Sequence, residues 1–133
     1  FNDDEMMSDS NRAKLMVASF LGGCAIANSY VGVVHPLSAG LSVVLGLHHC
    51  VANCIVMGVM SEFYEYEQRE FVQMQKRQDI LMPQGVCKEL SDDQFRDLYN
   101  ASIIHEKPLT NALGESFRNV LPESRVKELF LRM

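Results

Sequence analysis

The sequence predicts an all-α protein, and three observations support this prediction. Eight Met and no Trp are typical of a helical core rather than a β-sandwich. Helix-start signals, among them a capping box from Ser91 to Gln94, precede several segments. No segment has the alternating pattern of a β-strand. The 133 residues are enough for one domain with a sizeable core, in which we expect six to eight helices.

Composition and charge disfavour several classes of function. Hydrophobic residues make up 47% and charged residues 22%, close to an ordinary soluble globular protein. A net charge of −5 without a basic cluster argues against nucleic acid as a partner. The acidic start lacks the positive region of a secretory signal. The four cysteines are Cys24, Cys50, Cys54 and Cys87. Three of them lie in apolar helix-like sequence, so we expect no disulfides and a cytoplasmic location.

A long uncharged run raises the question of a membrane. The 47 residues from Leu15 to Ser61 contain no Lys, Arg, Asp or Glu, and two spans of ~20 residues would fit by length. However, the run is interrupted at Asn28-Ser29, His35-Pro36 and His48-His49, and no aromatic belt flanks it. We therefore expect a helix pair buried in a soluble helical protein, and no membrane.

The first predicted helix begins near Asn11, capped by Ser10 or Asp9, and extends to Ala27. It becomes apolar all round, which predicts that it is buried rather than amphipathic. Gly22-Gly23 in its middle costs roughly 1 kcal/mol of helix propensity per glycine. We expect the compensation to be close approach of a neighbouring helix or a ligand.

Two further helices are predicted in the uncharged run and just beyond it. The second extends roughly from Val31 to Val44, and Gly40 and Gly46 permit a chain reversal after it. The third extends from about His49 to Gln75. Its second half, beginning at Glu62, is charged and aromatic, which predicts that this half emerges into solvent.

The sequence of the C-terminal third predicts a series of shorter helices. A turn over 82–85 precedes the helix that the Ser91 capping box opens. A short helix is expected between Pro108 and Gly114, and Pro122 introduces the last helix. One face of that last helix is apolar and carries Val126, Leu129 and Phe130.

Three of the four histidines lie in the uncharged run: His35, His48 and His49. A histidine in such surroundings must be hydrogen-bonded, remain neutral or hold a metal. We interpret His35 and His49 as metal ligands, since imidazole suits zinc and iron. On one straight helix they would be ~21 Å apart, so the chain must fold back between them. A catalytic metal also needs about three protein ligands, so others must come from elsewhere. The alternative is a pair of core or interface histidines satisfied by backbone carbonyls.

Other residues carry weaker signals. Cys50 and Cys54, four residues apart on one helix face, could bind a structural zinc with His48 or His49. The usual CxxC knuckles are absent, so buried inert thiols are the favoured interpretation. No P-loop or glycine-rich dinucleotide motif is visible. Asn53 could bond a buried backbone group or line a pocket, and the structural role is favoured. His105 lies in a polar stretch that predicts exposure.

The run from Leu15 to Cys54 resembles the signature of the iron-containing (group III) alcohol dehydrogenase family. Members typically show an AS-x-x-AG-x-A helix, then G-x-V/I-H, then H-G-x-x-N-A after a short reversal. The matching residues are Ala18-Ser19, Gly22-Gly23, Ala25, Gly32 to His35, and His49 to Cys54. The interval from His35 to His49 is the family's spacing between its last two metal ligands. The resemblance continues in the KPLTNALG segment and covers nearly the whole chain.

The resemblance implies a particular architecture. Residues 1–133 would form a single helical metal-binding domain, like the C-terminal domain of the dehydroquinate synthase-like fold. The N-terminal nucleotide-binding domain, which binds NAD or NADP, is absent from these residues. The metal, Fe(II) or Zn, would be held by His35 and His49 together with an Asp and a His from a segment that the sequence lacks. The intact enzyme is expected to be a homodimer, and the fragment alone to be inactive.

The resemblance also bears on the substrate. The family commonly has a second His four residues after the first ligand, where this sequence has Ala39, and Cys50 replaces the usual Gly. Ile26, Ala39 and Leu47 would then shape the substrate pocket. The expected reaction oxidises a primary alcohol or sugar-acid hydroxyl to an aldehyde. One branch of the family oxidises the terminal alcohol of an eight-carbon sugar acid, and the tail of this sequence is similar to that branch.

A rival hypothesis comes from another class of protein. The chain could be a non-enzymatic helical interaction module with structural histidines or a structural zinc. Its apolar run would then be a surface that binds a partner. Metal binding that depends on His35 and His49 separates the two hypotheses.

Overall fold

The computed structural model describes residues 5–133, and no strand occurs among them. Eight helices follow one another along the chain, which confirms the predicted all-α fold. They are α1 (Asp9–Ser29), α2 (Val34–Leu45), α3 (His49–Gly58), α4 (Glu65–Arg77), α5 (Asp92–Ile103), α6 (Glu106–Leu113), α7 (Phe117–Val120) and α8 (Glu123–Leu131).

The core lies where α2, α3, α5 and α8 meet. Its fully buried side chains include Leu37 and Leu41 of α2, Val56 of α3, Leu98 of α5 and Phe130 of α8. Helix α2 packs most extensively against α5 and next against α3. Burial of these apolar side chains is the main stabilising term, at roughly 1.5–3 kcal/mol for each large one.

Gly40 allows the closest approach within this core. A Cβ at this position would collide with the Ser102 hydroxyl oxygen and lie 3.0 Å from the Leu98 carbonyl oxygen. The expectation that Gly40 helps to reverse the chain is therefore wrong, because it lies inside α2 and is needed for packing against α5. The reversal occurs at Gly46, whose φ of 69° is the left-handed conformation that favours glycine.

Helix α1 is almost entirely exposed, so the prediction that it is buried is wrong. Asn11 is its one buried residue, and Phe20 is 71% exposed. Nothing lies within 4 Å of a Cβ built on Gly22 or Gly23, so the expected close neighbour is absent from the described residues. An apolar composition all round the helix indicates a need for cover, but within residues 5–133 no other helix covers α1.

The ends of α1 also differ from the prediction. Its N-cap is Ser8, rather than Ser10 or Asp9, and the Ser8 hydroxyl accepts a hydrogen bond from the Asn11 backbone N–H at 3.4 Å. Tyr30 follows the last turn with a φ of 62°, which is uncommon for a residue with a side chain. The chain therefore turns sharply between α1 and α2.

The single helix predicted over residues 49–75 is interrupted. It ends at Gly58 and resumes at Glu65 as α4, which has no buried residue and emerges into solvent as expected. The Gln68 side chain donates to the Gly58 carbonyl at 2.8 Å, which satisfies an oxygen at the end of α3. A tertiary contact favours the break, since Met60 in the connection is fully buried.

The predictions for α5 and α8 agree with the structure, whereas α6 begins at Glu106, before Pro108, and α7 was not predicted. The Ser91–Gln94 capping box is formed at the start of α5, and α8 begins directly after Pro122. Glu62 accepts hydrogen bonds from Arg125 at 3.0 Å and from Arg132 at 2.7 Å, which fastens α8 to the connection after α3. The apolar face of α8 is buried, as predicted, through Val126, Leu129 and Phe130.

The cysteines are distributed differently from the prediction. All four are free thiols in the structure. Cys24 and Cys50 are exposed and Cys54 is half-buried, so these positions are not the buried thiols that the apolar surroundings indicated. Cys87 is the buried one, and its burial raises its pKa to about 11.

Among residues 5–133 no single helix has the length and hydropathy needed to cross a membrane. Helices α1 and α2 reach the threshold only as a pair, and that pair is bent by 100°.

Candidate metal centre

His35 and His49 lie side by side although 14 positions separate them. His35 is on the first turn of α2, and His49 is the first residue of α3. The left-handed Gly46 ends α2, and the short connection after it brings the ring of His49 beside that of His35. The two ring centroids are 4.8 Å apart, with the ring planes at 80°.

This geometry fits two imidazoles that bind one ion. At the ~2.0–2.1 Å distance typical of zinc–nitrogen bonds, two coordinated rings have centres about 4.5–5.5 Å apart. Two imidazoles are nevertheless fewer than the three protein ligands of a catalytic site. No group of three or more His, Cys, Asp or Glu residues that could hold a metal occurs within residues 5–133. The pair can therefore supply two ligands of such a site.

The segment before His35 is fixed by a tyrosine from beyond α3. The buried backbone N–H of Val33 donates to the Tyr64 hydroxyl at 3.0 Å. Gly32 lies against that hydroxyl so closely that any Cβ would collide with it. This contact sets the position of the first turn of α2, and with it the position of His35.

A buried hydroxyl connects the two helices that carry the histidines. The Ser38 Oγ lies 2.9 Å from the His35 carbonyl oxygen and 2.6 Å from the Asn53 Oδ1. Its single proton can be donated to either oxygen. Asn53 is one helical turn after His49, so this contact holds α2 and α3 together directly beneath the two imidazoles. Asn53 therefore has a structural role, although its partner is a side-chain hydroxyl rather than a backbone group, and it also lines a pocket.

The histidine pair lies at the polar end of an open pocket of about 580 Å³. The pocket is formed by the end of α1, the connection to α2, and the start of α3. Most of its walls are apolar, as is typical of small-molecule sites. The lining residues are Ile26, Tyr30, Val31, Gly32, Val34, His35, His49 and Asn53.

The three residues expected to shape a substrate pocket are not brought together. Ile26 lines the pocket with the histidines, from the exposed helix α1. Ala39 is half-buried on α2, and Leu47 packs against the core, and neither is among the lining residues. No pattern in the sequence indicates that Tyr30 is a wall residue, because its placement depends on the turn after α1.

His105 is a site neighbour that the sequence reasoning missed. The polar surroundings predicted exposure, but the residue is half-buried, and its ring centroid lies 5.9 Å from that of His35. The contact joins residues 70 positions apart through the packing of α5 on α2. No local signal in the sequence indicates it.

The electrostatics favour a neutral His35. Partial burial first, and then the neighbouring His49 and His105, lower the pKa of His35 below its ordinary value of 6.5. A neutral imidazole is the form that binds a metal. Burial, and then Cys50, raise the pKa of Cys54, which favours its protonated thiol. Cys50 and Cys54 belong to no metal-binding group of three within the part of the chain described.

Fold and site together define a class: an all-helical domain that presents paired histidines at the polar end of an apolar pocket. A comparison with protein-family models makes the assignment specific. Residues 4–103 match the model described as "Fe-containing alcohol dehydrogenase family, C-terminal". The match covers about three quarters of the chain and includes both histidines, and the chain belongs to this family.

The family assignment confirms the recognition made from the residues between Leu15 and Cys54. It is an oxidoreductase family, for which iron and NAD(P) are implied at the level of the family. Its members have an N-terminal domain and a small-molecule substrate. His105 lies beyond the end of the matched region.

Proposed function

We propose that this chain is the C-terminal half of a metal-dependent, NAD(P)-linked alcohol dehydrogenase in which His35 and His49 bind the catalytic metal ion. The single observation that carries the proposal is the 4.8 Å separation of these two rings at the polar end of an apolar pocket. The family assignment supports the type of reaction.

The residues of this chain would contribute in distinct ways. His35 and His49 bind through ring nitrogens in their neutral forms. A divalent iron or zinc ion bound there supplies Lewis-acid polarisation of an alcohol oxygen. The apolar walls at Ile26 and Val34 would contact the carbon chain of the substrate. Ser38 and Asn53 keep the two ligand helices in register.

The remaining metal ligands and the binding site for NAD or NADP would come from the N-terminal domain that this family possesses. The apolar surface of α1 supports this part of the proposal, because it has no cover within residues 5–133 and borders the pocket. The large exposed side chains of α1 are Met16, Val17, Phe20, Leu21 and Ile26, and the exposed Tyr30 directly follows the helix. A cytoplasmic homodimer is the proposed state of the intact enzyme.

The proposed substrate is a primary alcohol or a sugar-acid hydroxyl, oxidised to an aldehyde. The terminal alcohol of an eight-carbon sugar acid is the specific candidate from the resemblance described above. The pocket volume of about 580 Å³ is large enough for a molecule of that size. Turnover of candidate alcohols by the intact protein with NAD or NADP tests this choice directly.

Substitution of the ligands tests the metal assignment. In the intact protein, His35→Ala and His49→Ala should each abolish stoichiometric Zn²⁺ or Fe²⁺ binding and dehydrogenase activity. His48→Ala is the matched control, because His48 adjoins His49 but is exposed, and it should retain both. Undiminished metal binding in both ligand variants would contradict the proposal.

One observation favours a second function, a non-enzymatic interaction module. The exposed apolar surface of α1 is suited to binding a partner protein. In that case the histidines are structural. Substitution of His35 would then leave the amount of bound metal unchanged and cause no loss of enzymatic activity. The same variants therefore separate the two functions.

A further inference from the structure

The site contains three imidazoles in a row rather than two. His35 makes edge-to-face contacts with two rings, those of His49 at 4.8 Å and His105 at 5.9 Å between centroids. The planes of His35 and His105 are inclined at 77°. Edge-to-face contacts at this separation are a preferred arrangement for aromatic rings.

The third imidazole is firmly placed. His105 lies between α5 and α6, and its backbone is hydrogen-bonded on both sides: its N–H donates to the Ser102 carbonyl at 3.4 Å, and its carbonyl accepts from Leu109 at 3.3 Å. Ser102 is buried against Gly40 of α2, where no Cβ would fit. The tightest contact between α2 and α5 therefore sets the distance between His105 and His35.

The structure does not support a role for His105 as a metal ligand or as a wall of the pocket. It forms no metal-binding group of three with other His, Cys, Asp or Glu residues in the described part of the chain. It is also not among the residues that line the pocket. Its contact with the site therefore passes through the ring of His35.

We propose that His105 is a positioning residue for His35, whose ring it packs against and holds in the orientation that faces His49. The proposal rests on the proposed function, since it assigns His35 as a metal ligand. Groups that orient a metal-binding histidine usually change the affinity of the site for the metal ion, although they do not contact the ion themselves. Here the orienting contact is the edge of an aromatic ring, so ring shape matters more than ring nitrogen.

The test compares two substitutions in the intact protein, with Co²⁺ as the probe. His105→Ala removes the ring and should weaken Co²⁺ affinity about 10-fold or more, with a changed visible absorption spectrum. His105→Phe keeps an aromatic ring and should bind Co²⁺ nearly as well as the wild type. His48→Ala, an exposed histidine beside the same site, is the control and should change neither property.

A second measurement does not depend on the metal. In the metal-free protein, the ring resonances of His35 in NMR spectra should shift in His105→Ala, because its aromatic neighbour is lost. Unchanged His35 resonances would overturn the proposal, as would Co²⁺ affinity that is unaltered in His105→Ala or equally weakened in His105→Phe. Failure of the wild type to bind Co²⁺ would instead overturn the proposed function, and this inference with it.

Discussion

At the scale of single residues, the position of His35 depends on a glycine three residues earlier and on a distant tyrosine hydroxyl. Tyr64 accepts a hydrogen bond from the buried N–H of Val33, and Gly32 leaves the space that this hydroxyl occupies. A buried donor without a partner costs about 1–3 kcal/mol. The glycine of the G-x-V/I-H motif thus has a physical role that its position in the sequence does not reveal.

This contact yields a prediction for a double-mutant cycle. Gly32→Ala should lower the free energy of unfolding by about 1–3 kcal/mol, because its Cβ displaces the hydroxyl from Val33. Tyr64→Phe should cost a similar amount, and the double variant little more than either one, since both changes break one contact. Urea denaturation measures all three. Gly58→Ala is the control, because its Cβ meets nothing within 4 Å. Losses of unfolding free energy that are fully additive in the double variant would show that the two residues do not share one contact.

The lowered pKa of His35 yields a prediction about pH. Between the folded-state pKa and the ordinary value of 6.5, the unfolded chain binds more protons at this residue than the folded one. Its contribution to stability is therefore complete above about pH 6.5 and is lost as the pH falls through the lowered folded-state pKa. The metal-free wild type should lose more unfolding free energy on acidification than His35→Gln. If the free energy of unfolding falls equally with decreasing pH in the two proteins, this prediction is wrong.

Among the helices, α1 differs from the others because its composition is that of a buried helix while its side chains are exposed. Helices α2 and α3 pack against one another, and α2 also packs against α5, whereas α1 exposes Met16 and Phe20 to solvent. A helix that is apolar all round is stable in water only when it is covered. We attribute its cover to the N-terminal domain of the family.

A charged residue on α1 tests this attribution. In the intact protein, Phe20→Glu should lower the free energy of unfolding by several kcal/mol, because a carboxylate would be buried without a partner. Leu81→Glu, at a position that is 90% exposed in a connecting segment, should change it by about 0.5 kcal/mol or less. Thermal unfolding of the two variants gives the comparison. Equal, small effects would show that α1 is exposed in the intact protein as well.

At the scale of the whole molecule, the sequence predicted what depends on local pattern. The all-α fold, the Ser91 capping box and the buried face of α8 follow from propensity, capping chemistry and spacing, and all were found. The pairing of His35 with His49 followed from their surroundings and from the resemblance. The left-handed Gly46 supplies the reversal that the pairing requires.

The features that escaped prediction depend on distant contacts. The approach of His105 to His35 and the bonds of Glu62 to α8 join residues far apart in sequence, and only the packed core creates them. The interruption after Gly58 likewise follows from the burial of Met60 rather than from a helix-breaking residue. The exposure of α1 could not be predicted from its composition. An apolar composition indicates that the helix must be covered, but it does not indicate which part of the protein covers it.

Anomalous diffraction from crystals of the intact protein loaded with Zn²⁺ tests the proposal that His35 and His49 bind one metal ion. If they do, one anomalous peak lies about 2.0–2.1 Å from a ring nitrogen of each histidine. Histidine rings that face separate environments, or a peak bound instead by Cys50 and Cys54, would contradict it.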